Sequence, residues 1–332
     1  MLNPTDAHDD GARQAGPMEP VHQPLTASDV LTYQQLRRTG LSEREIAADL
    51  KAARLRRMRR GVFIDAQRWN DAPFWEQNVV SVVAHHAVSQ ERGIYSHVSA
   101  ARLIGVDLWN APSAVHVMHL GRRGDRGPVG DVIRHNQSVP PQQVILVNGI
   151  LTTSVERTIV DCARILSPES ALVMADSGLR LGASIVELRE LVKAGVGSRN
   201  INRVRRVLDI ADGRSESAGE SRLRLKLLDW QFPVPVLQLE VPTVVGLFRA
   251  DMGWPELRLI AEFDGVGKYT AYGPTEQTLI DERRRETHLM EAGWQIIRVR
   301  WQDLNDDVGL RQRFDAAFDR ARLRPPPAQI TP

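Results

Sequence analysis

Residues 249 to 269, Arg-Ala-Asp-Met-Gly-Trp-Pro-Glu-Leu-Arg-Leu-Ile-Ala-Glu-Phe-Asp-Gly-Val-Gly-Lys-Tyr, constrain the fold more than any other segment. From Leu257 the chain alternates as a strand does, which puts Arg258, Ile260, Glu262 and Asp264 on one face and Leu257, Leu259, Ala261 and Phe263 on the other. Trp254-Pro255 marks a turn, and Val244 to Ala250 reads as the antiparallel partner strand. That pairing predicts Asp251 near Glu262, where carboxylate oxygens can hold a hard divalent cation. The plain alternative is a solvated hairpin rich in charge.

The surrounding elements follow from their own patterns. Asp209 to Gly219 is small and polar and marks a domain boundary. After it the sequence predicts a helix from Glu220 to Trp230, strands over 236–241, 244–250 and 257–263, a helix over 275–292, a strand over 295–300 and a helix over 308–321. The last helix turns Leu310, Phe314, Ala317 and Phe318 inward. The order is αβββαβα.

The front of the chain has a different character. Residues 1–24 are rich in Pro, Gly, Asp and His with few large apolar side chains, which predicts a disordered tail. Residues 25–70 read as a helix ending near Arg38, a turn at Thr39-Gly40-Leu41, and a second helix opened by the capping box Ser42-Glu-Arg-Glu45. Two short extended runs pivoting at Arg59-Arg60-Gly61 follow, so the segment has the layout of a winged helix-turn-helix.

Lys51 to Arg60 holds six cations, Lys51, Arg54, Arg56, Arg57, Arg59 and Arg60, and no acid. With Arg44 on the second helix they form a candidate phosphate-contacting surface. Glu43 and Asp49 on the same helix count against base reading, and a helical hairpin used for packing stays open.

Residues 71–212 read as a mixed α/β region. Ser96-His97-Val-Ser99 looks like a helix start, residues 114–120 and 131–134 like strands, and Thr153-Ser-Val-Glu156 like a capping box. His97, His116, His119 and His135 have no acidic partner at metal spacing and read as structural or solvated. Cys162, the one cysteine, lies on an apolar helical stripe and reads as buried packing.

Composition sets the frame. With 332 residues and 42% hydrophobic content there is material for two or three domains with ordinary cores, hence a globular, multidomain α/β protein. A single cysteine excludes an intrachain disulfide and suits a reducing compartment. No secretion signal or membrane-length apolar run is present, which predicts a cytoplasmic location and no membrane partner.

These residues carry a resemblance. The last third is similar to the very-short-patch-repair-endonuclease-related group of the PD-(D/E)XK nuclease superfamily, in particular its actinobacterial members. The match rests on Asp251, Trp254-Pro255-Glu256, Glu262-Phe-Asp264-Gly265, Lys268-Tyr269, Glu282-Arg-Arg-Arg285-Glu286, Leu289, Gly293-Trp294 and Arg298. Residues 25–65 resemble the winged-helix domain of AbiEi-type antitoxins, as do S-H-x-S-A-A-R-L at Ser96 to Leu103 and T-S-x-x-R-T-x-x-D at Thr153 to Asp161.

The resemblance implies a restriction-endonuclease-like domain over residues 213–325 that ligates Mg²⁺ or Mn²⁺ through Asp251 as the motif Asp and Glu262 as the motif Glu. Asp264 stands where the superfamily usually has lysine and is a third candidate ligand, while Lys268 is the candidate to supply the missing cation. Glu220 matches an acidic residue that some members add to the site, although a carboxylate favoured by the helix N-terminus explains it as well. Arg285 reads as a phosphate clamp or as a helix salt bridge with Asp281 or Glu282.

Three functional expectations follow. The first is a metal-dependent DNA endonuclease, or a protein derived from one, targeted by its front module. The second is a non-catalytic, antitoxin-like transcriptional regulator with a cognate toxin as partner. The third is an interaction domain without a nucleic-acid role.

Overall fold

Ser42 and Glu45 cap each other as their spacing predicts: the Glu45 amide donates to Ser42 Oγ at 3.2 Å and the Ser42 amide to the Glu45 carboxylate at 2.7 Å. A second box, Thr32 with Gln35, opens the helix before it. The computed structural model describes residues 23–89, 93–118, 130–265 and 276–323, with the side chains of 276–282 left out, and the chain divides into two units at Val88/Ser89.

In the first unit, β1 (Leu31–Thr32), α1 (Tyr33–Arg38), α2 (Glu43–Lys51), β2 (Leu55–Arg59), β3 (Val62–Asp65), α3 (Ala66–Asp71) and α4 (Phe74–Val88) follow in order. The strands form an antiparallel sheet in the order β1-β3-β2. Gly61, at φ +76°, turns the β2–β3 hairpin where a side chain would be strained. The first helix ends at Arg38 as expected and is short, because Leu31 and Thr32 before it pair with Phe63 and Val62 as a strand. Val80 and Ala84 of α4 pack with Val62 and Ile64, so residues 71–88 belong to this unit rather than to the middle region. The expected tail lies outside the described residues up to residue 22, and Leu25 at its end is buried, its amide bonded to Glu76.

The second unit carries two sheets. The first holds β4 (Ile94–Tyr95), β5 (Val115–Met118), β6 (Val132–His135), β7 (Val144–Val147) and β8 (Ile150–Thr153), in the order β6-β5-β4-β8-β7. The β5/β6 and β4/β8 pairs are parallel and the others antiparallel. Around it lie α5 (His97–Ile104), α6 (Val155–Ala163), α7 (Pro168–Arg180), α8 (Ile185–Ala194) and α9 (Ile201–Ile210). Cys162 is fully buried in their shared core with Ile159, Leu172 and Leu188, and burial pushes its thiol up, as a packing role requires.

The two expected helix starts differ in detail. Ser154, not Thr153, caps α6, while the Thr153 hydroxyl pairs with that of Thr158 and Glu156 accepts the Ser184 amide. Ser96 makes no side-chain cap and instead meets the His97 ring.

The second sheet follows α10 (Ala218–Asp229) and is built from β9 (Val236–Thr243), β10 (Gly246–Trp254), β11 (Leu259–Asp264), then α11 (Glu276–Glu291), β12 (Gln295–Arg300) and α12 (Asp307–Arg322). Its order is β12-β11-β10-β9, with β11/β12 parallel and the rest antiparallel. This is the αβββαβα order read from the sequence, except that Asp251 lies within β10, and Leu257 and Arg258 lie in the turn before β11. Both faces are covered, one by α10 and α12 and the other by α11. Leu259, Ala261 and Phe263 join Leu223, Leu227, Phe314 and Phe318 in one layer, and Ile260 joins Val241, Ala250 and Leu289 in the other.

No break falls at 212/213: α10 is tied to α7 by the buried Arg224–Asp176 pair at 2.6 Å, and Asp176 also accepts the Asp212 amide. Among the described residues, no helix is long and apolar enough to cross a membrane.

Candidate functional site

The second sheet has one irregularity, and it falls at Asp251. Leu237 pairs with Met252 and both lie in the α10/α12 layer, whereas Leu239 pairs with Ala250 and both lie in the α11 layer. A regular strand keeps positions two apart on one face. The flip is absorbed by Gln238, at φ +50°, and by Asp251, which is missing from the ladder register. Such irregularities re-aim side chains.

Here Asp251 Oδ2 accepts the Phe263 amide at 2.7 Å and Gln238 Nε2 donates to Glu220 at 3.2 Å. Glu220 enters from the first turn of α10, 6% exposed, and accepts the Glu216 amide and the Ser217 hydroxyl, each at 2.8 Å. Burial, reinforced by the nearby Asp251 carboxylate, raises its carboxyl from the ordinary 4.5 to about 7. Gly219 lets the helix approach this closely, since a Cβ there would lie 1.9 Å from Phe263 Cε1. Glu220 therefore serves the helix cap and the site together.

The remaining carboxylates are held by arginines. Glu262 takes Arg285 Nη2 at 2.8 Å and lies 4.0 Å from Arg298, while Asp264 lies 3.6 Å from Arg300. The parallel register explains this, because Arg298 and Arg300 of β12 stand directly beside Glu262 and Asp264. Among the described residues, Asp251, Glu262 and Asp264 do not form a group with three ligand atoms within 4.8 Å; Asp251 lies close enough to Glu220 to help raise its carboxyl, and Glu262 stands on the neighbouring strand. Arg285 bonds Glu262 and the Arg249 carbonyl, while the side chains of Asp281 and Glu282, its expected helix partners, lie outside the described residues. Lys268 lies outside the described residues. A buried carboxyl beside a second carboxylate fits a hard divalent cation, which would offset their repulsion.

In the first unit the predicted cations line α2 and the hairpin. Arg44, Lys51, Arg54, Arg56, Arg57 and Arg60 are exposed and Arg59 is half-buried. Arg56 stacks over Trp69 and Arg57 over Phe63, with ring distances of 4.9 and 5.8 Å, which orders their guanidinium groups. The two acids that counted against this surface are engaged internally: Asp49 with Arg54, and Glu43 with the Tyr33 hydroxyl, which donates to it at 2.6 Å.

One cluster is not legible in the sequence. His97, His116 and His135 bring one ligand nitrogen each within 4.8 Å of one another. His116 Nδ1 and His135 Nε2 meet at 2.9 Å, and the His97 and His135 rings stack with centroids 3.8 Å apart. Burial is the first cause that lowers all three imidazoles, to about 2 for His97 and about 4 for His116, with the neighbouring rings adding to it at those two, so they are neutral at pH 7. Beside them opens a cavity of about 750 Å³ lined also by Arg157, Arg164, Arg199 and Arg203. The signal was out of reach because the histidines converge only through the β5/β6 pairing and the start of α5. His119 lies outside the described residues.

No family model matches the chain. Two proteins of Mycobacterium tuberculosis, the uncharacterized proteins MT2308 (strain CDC 1551 / Oshkosh) and Rv2248 (strain ATCC 25618 / H37Rv), are each 34% identical to it over 228 residues, 68% of this chain and 81% of theirs. The chain belongs to the Rv2248 family. A solved structure, the RV2827C protein from Mycobacterium tuberculosis, aligns with 15% identity and a TM-score of 0.36 over 65% of this chain and 85% of that one. In this member of the Rv2248 family, chemical capacity is concentrated at the Glu220–Asp251 pair, the histidine cluster and the basic hairpin.

Proposed function

We propose that the chain is a metal-dependent DNA endonuclease with a restriction-endonuclease-like core, guided to duplex DNA by a winged helix in its first unit. The observation that carries this reading is the Glu220–Asp251 pair, formed where the β9/β10 ladder changes face and set beside Glu262 on β11. The αβββαβα order and the positions of Asp251 and Glu262 on consecutive strands support the same assignment.

Mg²⁺ or Mn²⁺ would be held by Asp251 and Glu220, with Glu262 adjacent, and would supply a Lewis acid for a phosphodiester and a more acidic water. Ser217 and Gln238 hold the Glu220 carboxylate in place, and the Phe263 amide does so for Asp251. Since Asp264 stands at the usual lysine position, the cation facing a substrate phosphate has to come from Lys268, Arg285 or Arg298.

Nicking of supercoiled plasmid by purified protein with Mg²⁺ or Mn²⁺ tests this reading. Wild type nicks and Asp251→Asn does not; equal residual activity in both overturns it.

One observation favours a second reading. Glu262 lies between Arg285 and Arg298, and Asp264 beside Arg300, so part of the acidic set is already neutralised by the protein. A nuclease-derived, antitoxin-like regulator that binds its own promoter, with a cognate toxin as partner, has this character. It binds DNA with steep salt dependence and shows no metal-dependent cleavage.

A further inference from the structure

Two segments distant from each other in the sequence, Ser96-His97-Val-Ser99 and Arg157-Thr-Ile-Val-Asp161, meet at one cavity unrelated to the carboxylate pair. His97 and His135 form part of its lining, and Arg157, Arg164, Arg199 and Arg203 line it with Asp161. We propose that His97, His116 and His135 bind a first-row transition ion, zinc foremost, and that the cavity admits a phosphate-type oxyanion to its open coordination position.

The donor set selects the ion. Three imidazoles and no carboxylate suit zinc and its neighbours rather than magnesium. Their ligand atoms already lie within 4.8 Å of one another, and closing them to the zinc–nitrogen distance of about 2.1 Å takes side-chain shifts of about an ångström. Three protein ligands leave a fourth position for water or a ligand, as in catalytic zinc sites.

Two further observations point to a missing partner. His116 is 2% exposed, yet its Nε2 has no hydrogen-bond partner, which is costly for a buried polar atom. His97 sits in the left-handed region at φ +50°, a conformation that costs energy in a residue with a side chain and gathers at functional sites. One supporting contact resembles those that orient metal-bound histidines: Ser96 Oγ lies 3.0 Å from His97 Nδ1, leaving Nε2 for an ion.

The cavity wall selects the second ligand. Four arginines face one acid, Asp161, so the wall favours an anion. Arg157 is held by Asp161, Gln143 and Gln137, and Arg203 by the Leu166 carbonyl, so part of this wall is ordered in advance. Guanidinium forks match phosphate oxygens in geometry as well as charge.

Calorimetry with Zn²⁺ on chelator-treated full-length protein tests the metal. Wild type binds one ion at this site, His135→Gln loses at least about tenfold in affinity, and Asp251→Asn keeps it, so failure here is separate from failure of the nuclease reading. Equal zinc affinity in wild type and His135→Gln overturns the site. Nitrogen-resolved NMR of the wild-type imidazoles keeps the question open to refutation if the variant misfolds: three of the nine histidines respond to Zn²⁺, and a response that spares these three overturns it. With Co²⁺ in place of zinc, inorganic phosphate shifts the visible spectrum in wild type and Arg203→Ala needs several-fold more phosphate. An unchanged spectrum on phosphate addition overturns the oxyanion half.

Discussion

Asp251 accepts the Phe263 amide at 2.7 Å, so a candidate ligand also completes the hydrogen bonding of the strand beside it. The two duties separate by substitution. Asp251→Asn keeps a carbonyl oxygen for the amide and loses the charge, whereas Asp251→Ala leaves a half-buried N–H unpaired at a cost of about 1–3 kcal/mol. Urea unfolding should place Asn near wild type and Ala clearly below it, while metal-dependent nicking is lost in both. Equal stability of the two variants would remove the structural duty.

Glu220 gives a pH dependence of definite sign. Its folded value of about 7 lies above the ordinary 4.5, so the native state binds the proton more tightly. That contribution is fully present below pH 4.5, declines between 4.5 and 7, and is gone above 7. Wild type should lose up to about 3 kcal/mol relative to Glu220→Gln between pH 4.5 and 8. Mg²⁺ added at pH 8 should stabilise wild type more than the variant, because the ion favours the charged carboxylate. Parallel stability–pH curves for the two proteins would show that Glu220 does not carry the proton.

Gly219 sets the distance between α10 and β11. Gly219→Ala would place a methyl 1.9 Å from Phe263 Cε1, a clash relieved only by moving the helix or the ring. The expected cost is about 1–3 kcal/mol, with loss of Mg²⁺ affinity as Glu220 withdraws from Asp251. Thermal melts with and without Mg²⁺ read both effects, and an unaltered metal-induced shift would contradict this placement of Glu220.

The buried Arg224–Asp176 pair joins the two sheets of the second unit through α10 and α7. Desolvation pushes the Asp176 carboxyl up, opposed by Arg224, so the arginine keeps that charge tolerable. Arg224→Ala strands a fully buried carboxylate and should cost about 3–5 kcal/mol. The double variant Arg224→Met/Asp176→Leu should recover most of it, as measured by denaturant midpoint. A double variant no better than the single would mean that the pair also fixes the packing.

What the sequence made legible is what local periodicity encodes. Alternation from Leu259 to Phe263 foretold a strand with Leu259, Ala261 and Phe263 on one face, and the spacing of Ser42 and Glu45 foretold a cap. Pairings between distant strands were hidden. Arg298 and Arg300 reach Glu262 and Asp264 only because β12 joins β11 in one particular register, and His135 reaches His116 only through β6 and β5. Asp251 was placed beside β11, but the face change at Gln238 depends on one positive φ that no residue pattern announces. α4 packs in the first unit rather than the middle region, which the sequence hid because an apolar helix does not name the core that it covers.

The basic hairpin offers the test that bears on the nuclease and regulator readings alike. Arg44, Lys51 and Arg60 are exposed, so replacing them removes charge and little packing, unlike Arg56 and Arg57, which stack on Trp69 and Phe63. Removing one cation that neutralises a phosphate should lower the slope of log affinity against log salt by about 0.9. The triple alanine variant should therefore keep its melting temperature and bind duplex DNA with a slope smaller by about 2–3. Asp251→Asn, altered at a separate site, should keep the wild-type slope. If the triple variant binds with an unchanged slope, the first unit is not the surface that meets the phosphates, and both readings lose their means of targeting DNA.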